Sequence, residues 1–276
     1  MTAVQVPTLK SVAARIRSHV VDMCAGPEGG HLGGAFSCVE VLTALYFSVL
    51  NVDPRRPDDP ARDRFLLSKG HAAVGLYATL AERGFFPVEE LAGYGRPGSR
   101  LMGHPVRAVP GVELPTGSLG HGLALACGFA LATRYEGRDS RSFVLLGDGE
   151  LQEGSVWEAA IAAATLRLDR LVAVVDRNGL QLTGATERIA PMEPLADRWR
   201  GFGWAVREVD GHDASQVADH LAAAPWEPGR PSVLIARTVK GHGLPFLAGR
   251  ASSHYVTLSK RNHARAMGAL QATDTA

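Results

Sequence analysis

The chain is poor in the features that announce several classes of protein. Its three cysteines, Cys24, Cys38 and Cys127, stand too far apart for a disulfide framework or a zinc site and read as buried small hydrophobes. Neither sign of charge dominates: 29 Lys plus Arg against 28 Asp plus Glu leave a net charge of +1. No basic run is present that could track a phosphate backbone, so nucleic acid is not an expected partner. Long apolar runs are missing too. The longest strongly apolar stretch, Leu123 to Ala132, is too short to cross a bilayer and contains Gly128. The N-terminus has no basic segment leading into an apolar one, and the expectation is a cytoplasmic protein without a membrane partner. No internal repeat, low-complexity block or Gly/Ser linker divides the chain. A single domain over 1–276 is expected, with short flexible tails at about 1–7 and 271–276.

What is present is core material in a regular alternation. Hydrophobic residues make up 46% of the 276 positions, ample for one large α/β domain. Thr8 to Cys24 carries Val12, Ile16, Val20 and Met23 at helical spacing. Ser37 with Glu40 gives a capping-box signature before Val41, Leu42, Leu45 and Val49. Two helices thus flank the loop Gly-Pro-Glu-Gly-Gly-His-Leu-Gly-Gly. Phe65 to Leu67, Phe143 to Leu146, Leu171 to Val175, Ala205 to Val209 and Val233 to Ala236 are short strand-like runs separated by helix-like segments. The fold class is therefore α/β, a parallel sheet flanked by helices. Ser155 with Glu158 forms a second capping box before a helix carrying Val156, Ala160, Ile161 and Ala164.

Asp148 and Asp176 each fall at the end of a strand-like run, where such sheets bind ligands. Asp148 sits between Gly147 and Gly149, and Asn178 follows thirty residues later, about one strand–helix–strand unit. A carboxylate and an amide carbonyl are hard oxygen ligands. A small divalent cation such as Mg²⁺ takes about six oxygens, only one or two of them from carboxylates, and fills the rest with phosphate and water. The glycines admit close approach of phosphate oxygens, and the helix that starts near Gly154 offers free N–H groups.

The stretches "LLGDGELQEGSVWEAAIAA" and "VVDRNGLQLTG" resemble the thiamine diphosphate motif of transketolases, with the family's spacing between its two metal ligands. The resemblance runs from about Ser11 to about His254 and includes "GGHLGGAFS", "LSKGHAAVGLYATL", "MGHP" and "LPTGSLGHGLALACGFAL". It implies a thiamine diphosphate-binding fold, specifically its diphosphate-binding domain. Asp148, Asn178 and the backbone carbonyl of Leu180 become the metal ligands, with Gly149 touching the diphosphate. Arg177 departs from the family's usual Asn or Asp; because that neighbour is not itself a ligand, the metal site is expected to stay intact.

The resemblance also places His31, His71 and His104 around the reactive thiazolium carbon, as groups that donate to sugar hydroxyls and a developing alkoxide. His71 is further implied near the diphosphate, and His254 matches the family's late active-site histidine. Gly117 and Leu119 would line the aminopyrimidine. His121, where the related loop carries Gln, and His242 receive no catalytic role. Glu153 lies at a family position near the subunit contact. Lys69, between Ser68 and Gly70, could contact a phosphate but reads rather as a surface lysine at a strand end, and Glu150 reads as a solvated residue.

Transketolases activate the coenzyme through a glutamate on a second, pyrimidine-binding domain. This sequence ends before such a domain, so the expectation is the N-terminal subunit of a transketolase made of two chains. A C-terminal, pyrimidine-binding partner would supply the glutamate in an α2β2 heterotetramer. The expected reaction is transfer of a two-carbon ketol unit from a ketose phosphate to an aldose with thiamine diphosphate and Mg²⁺. Two competing readings are a subunit of another thiamine-dependent carbon–carbon bond enzyme, such as a deoxyxylulose phosphate synthase-like one, and a noncatalytic coenzyme-binding subunit. A nicotinamide dehydrogenase ranks below these, since no Gly-x-Gly-x-x-Gly opens a strand-to-helix unit with an acidic residue at the proper distance.

Overall fold

Five parallel strands carry the molecule: β1 (Arg64–Leu67), β2 (Ser142–Gly147), β3 (Leu171–Arg177), β6 (Ala205–Asp210) and β7 (Ser232–Arg237), in the spatial order β1-β2-β3-β7-β6. A small antiparallel hairpin, β4 (Leu180–Gln181) with β5 (Gly184–Ala185), follows β3. The computed structural model describes residues 8–274. All five strand-like runs of the sequence are strands, each longer than expected by one or two residues. The parallel α/β class is the one observed.

Ten helices among the described residues surround the sheet: α1 (Leu9–Cys24), α2 (Leu32–Phe36), α3 (Val39–Ala44), α4 (Ala73–Arg83), α5 (Gly122–Tyr135), α6 (Gly154–Thr165), α7 (Thr186–Ile189), α8 (Leu195–Gly201), α9 (Ala214–Ala222) and α10 (Lys260–Asp274). Strand side chains alternate between two cores. Phe65, Leu67, Phe143, Leu145, Val172, Val174 and Leu234 face α1, α3, α4 and α9. Leu66, Val144, Leu146, Ala173, Val175 and Ile235 face α5, α6 and α8. Both faces of the sheet are covered, which is why its strands read as continuous apolar runs rather than alternating ones. Each fully buried Leu, Val or Phe contributes about 1.5–3 kcal/mol. The three cysteines are buried as expected, and burial pushes Cys24 and Cys38 up to about 12 and Cys127 to about 11.

The helix-start signals fare unevenly. Thr8 caps α1, its side chain accepting from the Ser11 N–H at 3.2 Å. Neither expected capping box forms. Ser37 donates to Asp176 Oδ2 at 2.5 Å instead, while Glu40 pairs with Arg17 and His212 inside the fold. Ser155 donates to the Gly120 carbonyl at 2.9 Å, and Glu158 is exposed. In both cases the serine hydroxyl is turned toward a tertiary acceptor and away from the N–H group of the helix start. The second expected helix begins earlier, as the short α2 inside the glycine-rich loop, and its continuation ends in a wide turn over Leu45–Val49. Residues 271–274, whose polar composition reads as a tail, continue α10; residues 1–7 lie outside those described. No helix among the described residues is long and apolar enough to cross a membrane.

Candidate active site

Four neighbouring strands deliver their following residues to one crevice at their carboxyl ends. β1 leads into Lys69 and His71, β2 into Asp148, β3 into Asn178 and Leu180, and β7 into Thr238 and Lys240. Gly147 pairs with Asp176 across β2 and β3, and the Asp148 N–H donates to the Asp176 carbonyl at 3.2 Å. Lys69, His71, Gly117, Leu119, Asp148, Gly149, Glu153, Asn178, Leu180, Lys240 and His254 all line one cavity of about 390 Å³, within the range of small-ligand sites.

At its floor lies a buried charge network that local sequence pattern does not announce. Lys69 is not a surface lysine: it is 1% exposed, ion-paired with the fully buried Asp176, and donates to the Gly34 carbonyl at 2.8 Å. Asp176 also accepts from Ser37, Thr238 and the Asn178 amide Nδ2, the last at 3.2 Å. Burial opposes both charges, yet each stabilises the other: the Asp176 carboxyl stays below its ordinary value and the Lys69 ammonium above. Glu150 is not solvated either. It is 2% exposed and accepts from Ser68 Oγ, the Gly120 N–H at 2.9 Å and the Gly147 N–H at 3.0 Å. It braces the turn on which Asp148 sits. The sequence signal for either residue is its place two or three positions after an apolar strand.

Asp148 is 4% exposed. Its Oδ1 accepts from the Gly149 N–H at 2.8 Å, and its Oδ2 from the Gly179 N–H at 2.6 Å and from Arg177 Nη1 at 2.9 Å. Burial, with Asp176 nearby, still pushes the Asp148 carboxyl above its ordinary value. Its negative charge is undercompensated, the condition a bound cation relieves. Asn178 Oδ1 accepts from the Leu180 N–H at 3.0 Å, and the Leu180 carbonyl accepts from Lys240 Nζ at 3.4 Å. Hard oxygens therefore converge, with glycine backbone beside them: a Cβ on Gly149 would lie 2.9 Å from the Gln181 Cβ. Gln181 Oε1 is buried there without a hydrogen-bond partner. The donor set fits a divalent cation bound with a phosphate group.

The other end of the crevice gathers imidazoles. The His31 ring centroid lies 5.5 Å from His71, 5.8 Å from His104 and 5.2 Å from His254, and His71 lies 5.2 Å from His254. Burial, with His104 and Lys240 nearby, lowers His31 to about 4. Burial and Lys240 lower His254 to about 4, and burial with Lys69 holds His71 well below the ordinary value. These three are neutral at neutral pH. His254 Nδ1 faces Lys240 Nζ at 3.0 Å, and an ammonium only donates, so the His254 proton belongs on Nε2. His31 Nδ1 is buried without a partner. Gly117 sits against His104, and the Leu119 carbonyl accepts from His121 Nδ1 at 3.1 Å. His121 itself is exposed, as is Glu153 at the start of α6. His242 lies apart, stacked on His212 at 3.6 Å.

A doubly covered parallel sheet with hard oxygens, buried lysines and an imidazole cluster at its carboxyl edge defines a phosphate-binding α/β domain equipped for proton transfer. The chain matches the family model "Transketolase, thiamine diphosphate binding domain" over residues 8–271. It is 42% identical over 251 residues to an apulose-4-phosphate transketolase subunit of Phocaeicola vulgatus, covering 91% of this chain and 89% of that one. It is also 42% identical over 243 residues to the 6-deoxy-6-sulfo-D-fructose transketolase subunit SqwG of Clostridium sp. (strain MSTE9), covering 88% of each. The solved transketolase from Leishmania mexicana matches with a TM-score of 0.90 and 30% identity, covering 97% of this chain and 42% of that one. The chain thus belongs to the transketolase family as a thiamine diphosphate-binding domain. It spans less than half of the L. mexicana chain but most of the length of the two named subunits.

Proposed function

We propose that this chain is the diphosphate-binding subunit of a two-chain transketolase, acting with Mg²⁺ and a pyrimidine-binding partner to move a two-carbon ketol unit from a ketose phosphate to an aldose. The observation that carries the reading is the crevice that joins Asp148, Asn178 and Leu180 to His71 and His254, against which the His31 ring packs, with His104 beside His31. Asp148 Oδ1, Asn178 Oδ1 and the Leu180 carbonyl would hold the metal, and Lys240 with the Gly149 backbone would face the diphosphate. When bound, the coenzyme supplies a nucleophilic carbon that carries the ketol unit. Neutral imidazoles suit the other task, since each can donate to one sugar hydroxyl and accept from another without adding charge. The His254 Nε2–H and the unpartnered His31 Nδ1 offer one donor and one further polar atom for it.

Support for a partner comes from the carboxylates at the crevice. Glu150 has its oxygens committed to Ser68, Gly120 and Gly147, so it is not free to meet a pyrimidine ring nitrogen. On the helices α5 and α6 that follow the crevice, Leu125 and Ile161 are 39% and 51% accessible. We place a subunit contact of an α2β2 assembly there. The two relatives of equal identity are named for different sugars, one a phosphate and one a sulfo sugar, so likeness across this half does not single out the sugar.

The test is to assay the purified chain, alone and with its partner, for ketol transfer from a ketose phosphate with thiamine diphosphate and Mg²⁺. Transfer only by the complex is expected. Full turnover by the isolated chain overturns the two-chain reading, and a complex that binds coenzyme without transferring carbon would make this a noncatalytic subunit.

A further inference from the structure

Arg177 stands where the sequence departs from the family pattern, and its side chain runs to the residue expected to hold the cation. The guanidinium is 10% exposed and spreads its donors over four acceptors. Nη1 reaches Asp148 Oδ2 at 2.9 Å and Thr186 Oγ1 at 3.0 Å, Nη2 reaches Glu187 Oε1 at 3.1 Å, and Nε reaches Glu193 Oε1 at 3.1 Å. The Gly179 N–H donates to the same Asp148 Oδ2 at 2.6 Å. A carboxylate oxygen has two lone-pair sites, and both of those on Oδ2 are taken. Oδ1 accepts from the Gly149 N–H and keeps one site open.

We propose that Arg177 is a positioning residue for the cation site: by occupying Oδ2 it makes Asp148 a one-oxygen ligand and so selects a small octahedral cation over a larger one. The proposal rests on the reading that the crevice binds a metal diphosphate. Mg²⁺ demands near-ideal octahedral geometry from few carboxylates, whereas Ca²⁺ gathers six to eight oxygens and readily takes both from one carboxylate. The guanidinium is suited to this because its planar fork is pinned from the far side by Glu187 and Glu193. A lysine in its place would bring the charge without the fixed geometry.

Titration calorimetry of the full chain with MgCl₂ and with CaCl₂, each with thiamine diphosphate present, separates the two contributions of Arg177. Deleting its positive charge changes the affinity for both cations by a common factor, which cancels in their ratio. Freeing Oδ2 helps Ca²⁺ alone. In Arg177→Asn the preference for Mg²⁺ over Ca²⁺ is expected to fall by about tenfold, the scale on which partners behind metal ligands act. Arg177→Lys is expected to lose preference in the same direction while its Mg²⁺ affinity stays nearer that of the unaltered chain. Should Arg177→Asn fail to fold, Glu193→Gln loosens the same guanidinium and gives a smaller shift of the same sign. An unchanged ratio in the variants overturns the role of Arg177 while leaving the cofactor site standing. An unaltered chain that binds neither cation with the coenzyme overturns both.

Discussion

Replacing Lys69 by Met tests the least expected feature of the site. Met keeps the unbranched apolar stem, one heavy atom shorter, and removes the charge, leaving Asp176 buried with three donors, Ser37, Thr238 and Asn178. Removing one member of a buried ion pair costs about 3–5 kcal/mol, and the three remaining donors place this case near the lower end, at about 3 kcal/mol. For a domain of this size each kcal/mol shifts the melting temperature by about 2–4 °C, so a fall of about 6–12 °C is expected in calorimetric melts. Neutralising the partner as well should help: Lys69→Met with Asp176→Asn should be more stable than Lys69→Met alone, because no uncompensated charge then stays buried. A loss below about 0.5 kcal/mol, the behaviour of an exposed lysine, would refute the buried-pair account. So would a double variant that simply sums the two single losses.

Asp148→Ala is expected to abolish metal-dependent coenzyme binding in calorimetry while the circular dichroism spectrum is retained, since Arg177 keeps Glu187, Glu193 and Thr186; unchanged affinity would remove Asp148 as a ligand. Glu150→Gln sets an amide N–H₂ among three donors and should cost about 1–3 kcal/mol; an unaltered urea midpoint would mean the brace is not needed. Burial holds His31, His242 and His254 at about 4, below the ordinary 6.5. Unfolded imidazoles therefore take up protons that the folded ones refuse. Stability should be full above pH 6.5 and decline as the pH falls toward 4, and a urea midpoint constant across that window would contradict the burial of these rings.

Periodicity is a local property, and the parts of the molecule it governs are legible in the sequence. The five strands and the long helices α1, α5 and α6 follow from apolar spacing that any burial on a two-sided sheet requires. Most of the residues placed by motif likewise line one crevice, because strands of a parallel sheet all deliver their carboxyl ends to the same edge, while His31 and His104 stand behind its lining in ring contact. What the sequence hides is partnership across long separations. Ser37 meets Asp176 139 positions away, and Lys69 meets it 107 positions away. A serine three residues before a glutamate looks like a cap, and a lysine after a strand looks like a surface residue, until a distant carboxylate competes for each. Arg177 is hidden for a related reason. As a mere neighbour of Asn178 it looks incidental, yet a seven-residue strand turns its side chain toward β2, where Asp148 waits.

The two ends of the crevice then explain each other electrostatically. At the end that carries Asp148 and Asn178, Lys69 and Lys240 supply positive charge that burial leaves poorly screened. Lys69 is neutralised by Asp176, whereas the Lys240 ammonium meets the Leu180 carbonyl and His254, two neutral groups. Burial and Lys69 bring Lys240 down to about 8, which still leaves it largely protonated at neutral pH. That cation and the low-dielectric walls together deny His31, His71 and His254 a proton of their own. A phosphate-bearing ligand arriving at Lys240 would weaken this effect, raising the affinity of the imidazoles for protons. Occupancy of the end near Lys240 is then expected to raise the basicity of the histidine end. The link should be visible as an upward shift of imidazole pKa values in NMR titrations when inorganic diphosphate is added. Imidazoles that titrate identically with and without diphosphate would show the two ends to be independent.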